Sequence, residues 1–227
     1  MKSFKHYITE EPQLDTSIES DSSEYRKFDS AYLKSKESAF ILDDGHKFLG
    51  HRNLGEIHPG YELHQHVTSV TGDDGKPEHH HQYSIVHKKS KEVAGAIDAA
   101  AGKIDPKTGE FTSGTEKGLK VKWVGIHNSW HSSKKVGTSL PIAAYKHLHK
   151  LGYSIKSDST QSRGGAILWN RLRNDPEIKR YVKFHDERDN RAVPAYNLNY
   201  GDIWKKNASG KKITLVLHAK PKKIKSR

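Results

Sequence analysis

Leu119–Trp130 reads LKVKWVGIHNSW, 131–159 continues as HSSKKVGTSLPIAAYKHLHKLGYSIKSDS, and Thr160–Leu172 closes with TQSRGGAILWNRL. Leu119, Val121 and Trp123 alternate with Lys120 and Lys122, the period of a strand, and Val124-Gly125-Ile126 turns wholly apolar. Glycine inside a strand marks a bulge or the close approach of another backbone or a ligand. A helix follows, with Val136, Leu140, Ala144, Leu148 and Leu151 as its expected buried stripe. Pro141 would cost about 3 kcal/mol in a helix interior but is harmless in the first turn, so the helix should start close to Gly137. Gly152 is the expected C′ glycine, and Tyr153-Ser154-Ile155 the next strand. Asp158–Ser162 supplies N-caps for a second helix, whose face is Gly165, Leu168, Trp169 and Leu172. Asn174-Asp175-Pro176 stops it. Strand, turn, helix, strand, turn, helix is an arrangement suited to holding a phosphorylated group at a helix start, where free N–H donors and the positive dipole end meet. Lys134, Lys135, Gly137, Thr138 and Ser139 supply charge, close approach and hydroxyls at that point. A capped core helix with two surface lysines fits the same segment.

Outward from this unit, the middle of the chain reads as strands. Tyr61–Val70, Gln82–His87 and Val93–Ile97 are expected to form three antiparallel strands, with Lys88–Lys91 as a hairpin turn and Gly102–Gly118 as a long loop. Beyond the unit, Tyr181–His185, Tyr196–Leu198 and Ile213–His218 read as further strands. His64 and His66 would share one face of a strand, and His79-His80-His81 follows a turn. With sixteen histidines in the chain, chance clustering explains these better than a metal, which needs three or four converging ligands.

The chain has 227 residues, enough for one domain with tails. Its net charge of +12 favours nucleic acid, acidic proteins or phosphorylated ligands as partners. Absence of cysteine excludes thiolate catalysis and Cys-based zinc sites. No apolar run approaches the roughly 18 residues needed to span a bilayer, so no membrane association is expected. Residues 11–22 are acidic and Ser-rich, a linker composition; Ser23–Ser38 carries helical spacing; residues 220–227 form a basic tail able to touch nucleic acid electrostatically.

Two resemblances add to these readings. Residues 82–172 resemble the GNAT superfamily of acyl-CoA N-acetyltransferases, in which the pantetheine arm lies on a splayed strand and the pyrophosphate on the next helix start. The family's Q/R-x-x-G-x-G/A signature is matched in degenerate form by Lys134-Lys135-Val136-Gly137-Thr138-Ser139, and N-x-x-A-x-x-L-Y by Ser162, Gly165, Leu168 and Trp169. The resemblance implies an α/β domain over 23–219: a GNAT-like mixed, mostly antiparallel sheet flanked by helices. It implies acetyl-CoA as cofactor, held by Val124, Gly125, Ile126, Lys134, Lys135, Val136, Gly137, Thr138, Ser139 and Ser162. Trp169 stands where the family's tyrosine acid is expected, so Tyr181 or Tyr153 would have to replace it. His127 and Glu92 are the candidates for the base that the amine acceptor requires. The acceptor stays open between nucleic acid and a protein amine. Residues 1–10, MKSFKHYITE, resemble the capsid-targeting peptide of internal head proteins in large contractile-tailed bacteriophages, with Ile8-Thr9-Glu10 as the cleavage site. This implies packaging in the virion interior and delivery to the host cytoplasm. A non-catalytic internal head protein that binds DNA or a host factor is the alternative.

Overall fold

A computed structural model describes residues 46–72, 75–91, 93–126, 139–157, 163–186, 191–197 and 213–220. Four long strands come first: β1 (Lys47–His58), β2 (Tyr61–Thr71), β3 (Pro77–His87) and β4 (Val93–Ile104). A short β5 (Phe111–Ser113) pairs with the end of β4, and β6 (Gly118–Ile126) follows. Helix α1 (Ser139–Lys150), β7 (Ser154–Lys156) and helix α2 (Arg163–Asn174) come next. The described chain closes with β8 (Val182–Asp186), β9 (Arg191–Pro194) and β10 (Ile213–Leu217). All ten strands join one sheet in the order β1-β2-β3-β4-β6-β7-β10-β8-β9, with β5 beside β4. Every strand pair is antiparallel except β6–β7. A parallel pair needs a crossover, and α1 supplies it.

The α/β architecture flanked by helices is therefore corrected: the protein is mostly β, one large sheet with two helices among the described residues. The physical reason lies in 46–126, where the chain goes into strands of up to twelve residues and no described helix intervenes. The two helices also touch each other, Tyr145 meeting Trp169 edge to face at 5.9 Å. The sheet bends far enough that β1, at its margin, reaches α1. There the His147 ring Nε2 lies 2.8 Å from the Leu54 carbonyl oxygen.

One core is built between sheet and helices. Leu63, Tyr83, Ile85, Ile97, Leu119 and Ile155 face Leu140, Tyr145, Leu148, Trp169 and Leu172. In α1, Leu140, Ala144 and Leu148 are buried as their spacing predicts, and Pro141 sits in the first turn. Leu151 departs from the stripe: it lies beyond the last helical residue and is 38% exposed. Tyr145 and His149 take part in the burial instead. Gly152 adopts φ 86°, Gly152 N–H donates to His149 O and Tyr153 N–H to Leu148 O, the Schellman pair of bonds that ends a helix.

Several local expectations change. Four long strands rather than three precede β6, because β1 also pairs in the sheet. The loop expected over 102–118 holds the end of β4 and all of β5. Gly102 makes that possible, since a Cβ there would stand 2.1 Å from the Thr112 carbonyl oxygen. Tyr196 lies in a 3₁₀ turn (Ala195–Asn197), not a strand. The expected helix over 23–38 and the linker lie outside the described residues.

Candidate functional site

Among the described residues the parallel pair β6–β7 is short. β4 runs beside β6 from Ala101↔Leu119 to Gly95↔Ile126, covering its length. On the other edge β7 matches only Gly118↔Ser154, Leu119↔Ile155 and Lys120↔Lys156. The chain then leaves β6 and stays with β10. Ser157 N–H donates to Leu215 O at 2.8 Å, and Leu215 N–H donates to Ser157 Oγ at 3.0 Å. Among the described residues, no strand pairs with the second edge of Val121–Ile126. Unpaired strand edges present N–H and C=O groups to whatever lies beside them. An extended amide-bearing chain is the ligand chemistry that such an edge matches.

Two helices begin after these diverging strands. Neither has an acidic residue in its first turn. An acid there would compete with an anionic ligand for the helix N-terminus. Lys120 and Lys122 are exposed on β6, and the Lys122 ammonium Nζ approaches His80 Nδ1 at 3.4 Å.

Of the residues expected to hold the cofactor, Val124, Gly125 and Ile126 lie on the unpaired part of β6, and Val124 packs partly against the core. Ser139 is the first residue of α1. Lys134, Lys135, Val136, Gly137, Thr138 and Ser162 lie outside the described residues, as do the candidate bases His127 and Glu92. Tyr181 is placed apart from the β6 edge. It precedes Val182, which pairs with Leu217; Leu217 pairs with Ile155, and Ile155 with Leu119. That register line crosses β6 near its start, about 20 Å from Ile126 at a strand's rise per residue. Tyr181 packs on His149, ring centroids 4.8 Å apart, and carries the Arg180 guanidinium at 4.8 Å. Tyr153 is engaged too: Gln65 Nε2 donates to its hydroxyl at 3.3 Å and to Tyr83 Oη at 3.2 Å. Trp169 is 2% exposed and packed on Tyr145, a core side chain rather than a proton donor.

Sequence reasoning missed the polar network inside the sheet. Gln65, His81, Tyr83 and Tyr153 form one hydrogen-bonded group, with Gln65 Nε2 3.0 Å from His81 Nδ1. Burial pushes the Tyr83 hydroxyl well above the ordinary phenol range. Burial also holds His81 down to about 4, helped by His79, His80 and Arg52. The signal was the polar interruption Gln65 in a strand otherwise read by Leu63 and Val67. His64 and His66 do share a face, and His51 of β1 stacks on both. Among the described residues no three His, Asp or Glu side chains are arranged to hold a metal ion.

No family model, curated protein or solved structure matches the chain. No helix among the described residues is long and apolar enough to cross a membrane.

Proposed function

We propose that the chain is an acyl-CoA-dependent N-acetyltransferase of bacteriophage origin, with acetyl-CoA along the unpaired edge of β6. The observation that carries this is the short β6–β7 pair, three matched residues followed by divergence. The pantetheine arm is an extended chain with two amides, so it can bond to free backbone N–H and C=O groups as a strand would. Its pyrophosphate needs N–H donors and positive charge, and the sequence offers Lys134 and Lys135 shortly before α1. The acceptor is an amine, on nucleic acid or protein, consistent with a net charge of +12.

In this reaction the neutral amine attacks the thioester carbonyl, its N–H proton passes to a base, and the C–S bond breaks. His127, at the end of β6, and Glu92, before β4, are the bases the sequence offers. No acid is required of Trp169. A thiol has a pKa of roughly 8.5, so a departing thiolate can take its proton from water.

Because the chain has no cysteine, any free thiol in a reaction mixture comes from the cofactor. A thiol reagent should therefore report turnover directly when acetyl-CoA is mixed with the protein and an amine acceptor, duplex DNA or an acidic protein. Amine-dependent thiol release above spontaneous hydrolysis is expected. Acetyl-CoA binding without any release across these acceptors would contradict catalysis.

The degenerate match over Lys134–Ser139 favours a second reading, a non-catalytic internal head protein that binds DNA or a host factor. Either role fits packaging. Virion-derived chain is expected to begin at Glu11, after the Ile8-Thr9-Glu10 site, and mass spectrometry of purified particles would show it. Recovery of the full-length form alone would remove the packaging signal from the account.

A further inference from the structure

β1 is the marginal strand of the sheet, and its pairing with β2 is irregular. Among the described strands it pairs with β2 alone, and the register shifts between Phe48 and Gly50, Asn53 and Glu56, and Glu56 and His58. Most of its side chains are exposed. At the centre of the β1–β2 pair the side chains that meet are histidines. His51 sits across from His66 in the register, with Asn53 across from His64. The His51 ring stacks on His64 at 5.2 Å with planes 15° apart, and on His66 at 4.6 Å with planes 28° apart. His51 Nε2 and His64 Nδ1 are 3.0 Å apart, a hydrogen bond that needs one ring nitrogen to donate and the other to accept.

We propose that the His51–His64–His66 stack is an acid-sensitive latch, and that protonation of its rings releases β1 from β2 while the rest of the sheet stays paired. Protonated His64 presents only N–H donors, so its Nδ1 can no longer accept from His51, and a charge on buried His66 is hydrated only when β1 moves away. The charged groups around the stack neutralise it only in part. Glu62 of β2 is 3.6 Å from His64 Nε2 and also accepts from Asn53 Nδ2 at 3.3 Å. Lys91, in the β3–β4 turn, adds positive charge. Glu56 is held by Lys88 at 2.7 Å. Further along the same face, His46 and His80 meet at 5.1 Å. Lys122 of β6 and Glu78 of β3 flank His80. Arg52 projects its charge toward His81. Three rings thus share one nearby carboxylate, Glu62, which favours charge on His64 but is itself shared with Asn53. Burial, with the neighbouring rings, holds His66 down to about 4, and burial lowers His64 as well, so both enter the fold neutral.

Release of β1 would also break the link between Leu54 O and His147 of α1. Hydrogen exchange of the full chain, read by mass spectrometry at pH 7.5 and 5.0 and corrected for intrinsic rates, tests the latch. Protection over 47–58 should fall about tenfold or more at pH 5.0, while 77–104 keeps most of its protection. In His51→Gln, whose site is exposed and should tolerate the change, that pH step should shrink at least about threefold. Unchanged protection of 47–58, loss of 47–58 and 77–104 in parallel, or an undiminished step in His51→Gln would each overturn the proposal.

Discussion

Taking the protein from pH 7 to pH 5 is expected to lower its stability by about 2–4 kcal/mol, after discounting for the solvent that reaches partly exposed rings. His64, His66, His80, His81, His149, His185 and His218 all have ring pKa values below the ordinary histidine range, with burial as the first cause in each. His66 and His81 are held to about 4. The sign follows from proton counting. Between the folded value near 4 and the unfolded value near 6.5, the unfolded chain binds more protons. Stability is therefore full above pH 6.5 and falls as pH drops through that window. His185 and His218 belong to the same class: their Nε2 atoms are 2.9 Å apart, a contact that two charged rings cannot keep. Lys183 and Lys156 further disfavour charge on His185. Urea denaturation at a series of pH values would measure the slope. A flat profile between pH 7 and 5 would show that these rings are not neutral in the fold.

The second large effect is expected at Trp169. Replacing it with alanine should cost about 3–5 kcal/mol and lower the melting temperature by roughly 10–15 °C. The ring is 2% exposed and fills the space between α2 and Tyr145 of α1. A loss below about 1 kcal/mol by thermal unfolding would mean that the helix layer can collapse onto the gap.

Legibility in the sequence followed side-chain size and period. The unit from β6 to α2 was readable because Leu119, Val121 and Trp123 alternate, Pro141 marks a first turn and Gly152 a C′ position. β1 was not readable. Its sequence KFLGHRNLGEIH has no sustained alternation, since Phe48 and Leu49 are both largely exposed and Gly50 and Gly55 break the pattern. β4 was read only to Ile97, because Ala99, Ala100 and Ala101 carry no strand signal; they are buried on both faces, where small side chains suit close neighbours. β5 was hidden in a polar stretch because the cue was an absence, the missing Cβ of Gly102.

Among the described residues only two helices stand against the sheet, fewer than the family resemblance implied, because 46–126 is committed to strand pairing. In the candidate site, the apolar Val124–Ile126 run was legible, but its free edge was not. That edge depends on where Ser157 bonds, a contact 58 residues away in sequence at Leu215. Tyr181 looked available by sequence, yet its register lies toward the start of β6, far from the edge it would have to serve.

Isothermal titration of the full chain with acetyl-CoA tests the central claim most directly. Micromolar binding that is lost in Gly137→Glu, where a carboxylate would meet the pyrophosphate, is the predicted result. No heat at millimolar acetyl-CoA would contradict the cofactor assignment and leave the unpaired edge of β6 without its proposed occupant.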